Sequence, residues 1–366
     1  MRKRREGFSA HTIFSVAVCG ALYDSVMGKV VTFGEIMLRL ATPHKQRVAQ
    51  TSSFDAHYGG SEANVAVALA GYGFDVSYVS RVPDNALGKA VDMELRKYGV
   101  NTRDLVFGGD RLGIYFLEPG VGCRPSQVIY DRDASAFATL EQGQIDWDKA
   151  FDGAEWFHFT GISPAVSEEA CATTFEAVKA AKERGLKISM DLNYRAKLWN
   201  WGKSAEEIMP QLVEYCDVVL GNEEHVRTIL GVEVDRQEGE TQQEYYKNIC
   251  DAMAKRFPAN KQIVLTIRRG DSASHNYVSG VLWDEGTYVV APEYSVSDIV
   301  DRVGGGDSTM GGLIAGLIKF DDPQKAINFA VASGALKHTV HGDFNIATFE
   351  EVEGLMNGQN PGRVSR

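Results

Sequence analysis

The run WFHFT at residues 156–160, followed by SEEACATTFEAVKAAKER at 167–184 and, past Gly185, by KISMDL at 187–192, decides the fold class. The two short runs are aromatic and β-branched, which favours strands, and the long segment between them repeats its apolar positions with helical period. Gly185 stands where a helix would end in a left-handed cap. One strand, helix and strand joined this way is the unit of a parallel sheet covered by helices. The same alternation extends in both directions. Further strand-like runs lie at Val30 to Phe33, Val76 to Val82, Val218 to Leu220 and Ile263 to Ile267, and helical segments at Ala63 to Tyr72, Ala86 to Tyr98, Ala205 to Tyr215 and Gln242 to Arg256.

Two regions interrupt the pattern. Residues 38–58 and 113–132 alternate polar and apolar residues between Gly or Pro turns, as antiparallel strands do, and strands that leave a main sheet in this way can form a lid over a site. The last third holds a strand-rich region from Tyr277 to Tyr294 and helices over Gly306 to Lys319, Pro323 to His338 and Phe349 to Met356. Length alone, 366 residues, suggests two domains. Without an internal repeat or a long linker, however, the expected arrangement is one α/β domain over 27–366: a mostly parallel central sheet with helices on both faces plus a small β-strand lid.

The formal charge of −11 argues against general nucleic-acid binding, which needs clustered Lys and Arg. Residues 1–26 hold four basic against two acidic residues, so the remainder carries −13. That N-terminal piece is expected to be a disordered or non-native extension ahead of Met27; a signal peptide and an organelle-targeting segment are the alternatives, the former implying a secreted sugar-binding protein. No stretch reaches 18 apolar residues, so no membrane span is expected. Five widely spaced cysteines without a CxxC pair fit reduced thiols in a cytoplasmic protein. His338 and His341 have no third metal ligand nearby and read as helix-end and loop residues.

The sharpest chemical feature is DRVGGGDSTMGG at 301–312, ahead of an apolar helix. Three glycines at a helix start can aim several amides into one small space, an anion hole, with Asp307 beside it able to accept a proton from an attacking hydroxyl. Asp307 as a plain helix cap is the structural alternative. This is no Walker A loop, since no Gly-Lys-Ser/Thr follows. A second feature, YGGSEAN at 58–64, opens a small-residue helix; its glycines permit close approach of a ligand to the main chain, and Asn64 offers both donor and acceptor to sugar hydroxyls. An ordinary strand-to-helix turn fits it as well.

Together the two features resemble the paired signatures of the PfkB (ribokinase-like) carbohydrate kinases, with Gly-Gly-x-x-x-Asn in the sugar site and a late Gly-x-Gly-Asp holding the base. The resemblance spans residues 29–357. Gly34 to Arg39, Met190 to Arg195 with Leu198-Trp199, the Arg-Val-Gly-Gly-Gly-Asp form of the late motif and Gly342 to Asn345 are similar to the 2-keto-3-deoxygluconate kinase branch. What this implies is ATP-dependent phosphorylation of the terminal (C6) hydroxyl of 2-keto-3-deoxy-D-gluconate. Asp307 is the implied base, with Gly304, Gly305 and Gly306 as anion hole. Gly60, Ser61, Glu62, Ala63, Asn64, Tyr115, Tyr130, Arg132, Arg195 and Asp343 are implied around the sugar acid. Arg132 and Arg195 are the candidate guanidinium groups for a carboxylate or phosphate, with surface or interstrand ion pairs as the alternative. Asn193, Arg195, Asn222, Glu224, Gly304 and Gly306 are implied on the ATP side.

Magnesium is expected with the nucleotide, held through water by Glu224 or Glu223 rather than directly, and a monovalent cation is a further candidate cofactor. The chain departs from the family pattern at three places: His225 replaces the acid ending Asn-x-x-Glu, Gly270 to Ala273 replaces a Gly-x-x-Gly, and Arg302 stands where many members carry Thr. Lid strands are pairing edges, so a homo-oligomer is expected. Other readings are a kinase of fructose, ribose or the keto-deoxy-galactonate epimer, and a non-catalytic sugar-binding relative.

Overall fold

A computed structural model describes residues 28–359; the N-terminal extension therefore lies outside the described residues. Strands β1 (Lys29–Phe33), β4 (Val76–Val79), β9 (Ala154–Thr160), β10 (Lys187–Asp191), β11 (Val218–Gly221) and β12 (Gln262–Ser272) form the parallel part of a nine-stranded sheet. Its order runs β4-β1-β9-β10-β11-β12, then β13 (His275–Asp284), with β14 (Thr287–Val290) and β15 (Tyr294–Ser297) both antiparallel to β13. Helices cover both faces, so the inner strands are apolar almost throughout rather than alternating.

One face packs on α1 (Ser61–Gly71), α2 (Ala86–Lys97), α8 (Gly305–Lys319), α9 (Pro323–Lys337) and α10 (Phe349–Met356). The other packs on α3 (Trp147–Ala150), α4 (Glu168–Glu183), α5 (Ala205–Val213), α6 (Glu223–Leu230) and α7 (Gln242–Arg256). Helix α4 shows why these segments fold as they do. Ser167 accepts the Ala170 amide at 3.0 Å, Glu168 and Glu169 complement the positive helix end, and Gly185 takes the left-handed conformation (φ 70°) that stops it.

A separate four-stranded sheet is built from β3 (Asp55–Gly59), β2 (Met37–Ala41), β7 (Ile114–Glu118) and β8 (Gln127–Asp131), in that order. β2 and β7 run parallel and the outer pairs antiparallel. Strand β8 is exposed along its whole length. The expected single strand from Val76 to Val82 divides: past Val79 the chain leaves the main sheet, and β5 (Arg81–Val82) pairs instead with β6 (Val106–Phe107). The four cysteines among the described residues are free, three of them buried. No helix among those residues is long and apolar enough to cross a membrane.

Candidate active site

The parallel strands end at one rim, and the segments following β1, β9, β10 and β11 meet there with the N-termini of α1 and α8. This is where open α/β sheets bind ligands. The resulting cleft has a volume of about 800 Å³ and is roofed on one side by Tyr115, Leu117, Val128 and Tyr130 of the small sheet.

At its centre the chain turns from Asp301 into α8. Gly304 has a positive φ of 83°, and a Cβ there would lie 2.1 Å from the Asp343 carbonyl, so the position admits glycine only. The Gly305 amide bends back to the Arg302 carbonyl at 3.3 Å. The amides of Gly304, Gly306 and Asp307 have no hydrogen-bond acceptor among the described residues. The free amides at this turn are therefore those of Gly304, Gly306 and Asp307, while that of the expected Gly305 is spent on Arg302. They stand at the start of a 15-residue helix, where the dipole adds positive potential. Asp307 lines the cleft and accepts the Asn64 side-chain amide at 2.6 Å. Burial raises its pKa, the Asn64 hydrogen bond and the Arg195 charge oppose the rise, and Asp343 adds to it.

The half beneath the small sheet is a closed polar network. Gly60 approaches so closely that a Cβ would meet the Glu35 carbonyl at 2.0 Å. Arg39 reaches from β2 to Asp343 (2.8 Å) and Asp301 (2.5 Å), and Tyr115 donates to the other Asp343 oxygen. All four side chains are buried. Burial alone would lower the Arg39 pKa, but Asp343 and Asp301 more than reverse this. Arg132 pairs with buried Glu35, which also accepts from Ser135 at 2.6 Å. The Arg132 Nε is buried without an acceptor. Tyr130 lies 6.0 Å from Tyr115, centroid to centroid, at the mouth. Arg39, Glu35 and Asp301 were not among the expected site residues; their partners lie far away in sequence.

The other half is open. Asn193, in a left-handed conformation (φ 31°), donates to Ser61 at 2.8 Å, and its amide donates to Asp191. Asp191 is pushed up to about 7 by burial and by the nearby Asp307 carboxylate. Arg195 and Arg268 line this half, exposed, and neither has an acidic partner within ion-pair distance among the described residues. Arg268 is a further residue that sequence reasoning missed. Asn222 caps α6 by accepting the His225 amide at 2.8 Å, which leaves its NH₂ group to the cleft. Glu223 accepts from Tyr245 at 3.0 Å, and Glu224 also lines the cleft. His225, which stands where the family pattern has an acid, lies edge-on to Tyr194 with its Nδ1 buried and unpaired among the described residues. Burial, with Arg195 and Arg268, lowers its pKa to about 4, so it is neutral at pH 7.

Two expected site residues do not reach the cleft. Ala63 is core, and Glu62 is fully buried behind the site, accepting from the Thr160 amide, the Thr160 hydroxyl and the Ser163 hydroxyl at 2.8–3.0 Å. Once α1 starts at Ser61, residues 61 and 64 share a face and 62 turns away from it. The segment Gly270 to Ala273 also lies off the cleft. β12 runs on to Ser272, and Ala273 bonds the Gly122 carbonyl at 2.8 Å beside the small sheet. Arg302 lines the cleft and donates to Ala273 and Asn276, both at 3.2 Å. No cluster of three or more His, Cys, Asp or Glu able to hold a metal occurs among the described residues.

Residues 27–348 match the sequence profile described as pfkB family carbohydrate kinase. Among characterised relatives, the 2-dehydro-3-deoxygalactonokinase of Haloferax volcanii is 33% identical over 334 residues, 91% of this chain and 98% of the relative. The 2-dehydro-3-deoxygluconokinase of Thermoproteus tenax is 27% identical over 324 residues, 87% and 90% of the respective chains. Among solved structures, the 2-dehydro-3-deoxygluconokinase of Thermotoga maritima is 44% identical, with a TM-score of 0.86, covering 90% of this chain and 98% of that one.

Proposed function

The chain belongs to the pfkB family of carbohydrate kinases, and on that premise we propose that it transfers the γ-phosphoryl group of ATP to the terminal C6 hydroxyl of 2-keto-3-deoxy-D-gluconate. The observation that carries this reading is the Asp307 carboxylate, held at 2.6 Å by Asn64 beside three acceptor-free amides. A hydroxyl placed between them loses its proton to Asp307 as its oxygen attacks the γ-phosphorus. The bond to the β-γ bridging oxygen breaks, ADP leaves, and the product is 2-keto-3-deoxy-6-phosphogluconate. The amides of Gly304, Gly306 and Asp307 face the charge on the transferring group, and Arg195 and Arg268 supply cations for the phosphates. At the far end of the sugar the unpaired Nε of Arg132 is a donor for the substrate carboxylate, with Tyr115 and Tyr130 against the carbon chain.

Magnesium, when bound with ATP, would neutralise phosphate charge; the cleft-lining Asp191, Asn222 and Glu224 offer oxygen groups that fit an ion carried by the nucleotide and held through water. The small sheet, as a lid, excludes water from the transfer. Its free edge β8, with Ile129 56% exposed, is the surface through which copies associate.

The Haloferax relative favours a second reading, in which the galactonate epimer is the substrate. The test is ADP release on a panel of both keto-deoxy acids, fructose and ribose, with the product ester located by phosphorus NMR. Fastest turnover on the gluconate epimer with a primary phosphate ester is expected. Faster turnover on a neutral sugar contradicts the reading, and faster turnover on the galactonate epimer selects the second.

A further inference from the structure

The C-terminal residue of α9, Lys337, is wholly buried, yet its ammonium forms no ion pair with a carboxylate among the described residues. It donates instead to two backbone carbonyls, Val340 at 3.1 Å and Asp301 at 3.4 Å. The stem lies against the glycine loop: a Cβ on Gly304 would sit 3.3 Å from the lysine Cε. The same helix end grips the loop again, because the His338 carbonyl accepts the amides of Val300 (2.9 Å) and Asp301 (3.3 Å). Carbonyl oxygens converging on a dry cation are the environment in which proteins hold monovalent metal ions. Burial lowers the Lys337 pKa, while the carboxylates of Asp301, Asp343 and Asp307 act against this and Arg39 adds to it.

We propose that the Lys337 ammonium is a built-in monovalent cation for the anion hole, a positioning residue that fixes the Asp301 and Val340 carbonyls beneath Gly304 to Asp307, so that turnover needs no free potassium. The proposal rests on the reading of that loop as the phosphoryl-transfer site. Potassium or ammonium has no vacant place in the parent protein but gains one when the lysine is truncated. A C-capping lysine of purely local role creates no such site.

The experiment compares the parent and Lys337→Met in KCl, NH₄Cl and tetramethylammonium chloride at equal ionic strength. The parent should turn over within about twofold in all three salts. K337M should lose about 100-fold in kcat in tetramethylammonium, with the sugar KM within about threefold, and regain at least tenfold with potassium or ammonium. Potassium should also raise the melting temperature of nucleotide-free K337M and leave that of the parent unchanged. Loss of more than about tenfold by the parent in tetramethylammonium overturns the proposal, and this arm stands even where K337M does not fold. So does a folded K337M that keeps parental turnover in tetramethylammonium, or one that neither cation reactivates. A parent inactive on every sugar in every salt refutes the kinase reading instead, and the melting data then decide the cation role by themselves.

Discussion

The two halves of the cleft are built on opposite principles. Beneath the small sheet, the arginines are already paired: Arg39 with Asp301 and Asp343, Arg132 with Glu35. Beside α6, Arg195 and Arg268 are exposed without an acidic partner among the described residues. A buried pair left half-made costs several kcal/mol, so the covered half is rigid before any ligand arrives. On the proposed reading, Arg195 and Arg268 gain their partners from incoming phosphates. On the same reading, a body of net negative charge can still receive two anions because the cations and free amides are concentrated at the cleft.

Asp307 joins the halves, and its loss should have the largest effect. Asp307→Asn is expected to lower kcat by about 10³-fold or more with little change in sugar affinity, checked by steady-state kinetics and calorimetry. Next comes Arg39→Met, which strands Asp301 and Asp343 as buried uncompensated acids; urea unfolding should show a loss of about 3–5 kcal/mol, and sugar binding should fail with it. Arg268→Ala should separate the halves by raising the KM for ATP about tenfold, leaving the sugar KM unchanged and stability within about 0.5 kcal/mol.

Smaller effects concern protons. Because burial raises the Asp307 pKa, the rate should fall on the acid side at a pH above the ordinary carboxylate range. Asn64 stabilises the ionised form, so Asn64→Ala should move that limb to higher pH, and an unmoved limb would detach Asn64 from the base. Glu62 has a folded pKa of about 7 against an ordinary 4.5. It therefore binds its proton more tightly when folded, and its contribution to stability is complete below the unfolded pKa and lost as pH rises to about 7. The melting temperature of Glu62→Gln should accordingly gain on the parent across that interval.

Much of this was legible in the sequence because its causes are local. Strand and helix periods placed the parallel sheet, and the two glycine motifs identified the turns into α1 and α8. What was not legible depends on contacts across the chain. Arg39 and Asp343 are 304 residues apart, and no local pattern ties them. Arg268 sits inside a strand that reads as ordinary sheet, and only the ending of β11 and the start of α8 make it a cleft residue. Glu62 and Ala63 were placed in the site by the resemblance, which implies Gly60 to Asn64 as one run; successive residues of α1 turn by about 100°, so only Ser61 and Asn64 of its first turn face the cleft. Gly270 to Ala273 departs from the family's Gly-x-x-Gly, and the place of the segment is set by β12 running on as strand and delivering it to the Gly122 loop.

The most direct test of the contrast between a finished sugar half and an unfinished nucleotide half is titration calorimetry of 2-keto-3-deoxygluconate into the nucleotide-free protein, repeated with a saturating non-hydrolysable ATP analogue. One-to-one binding is expected in both, with dissociation constants within about threefold, a coupling of less than about 1 kcal/mol. Sugar binding seen only when the nucleotide analogue is present would contradict the account.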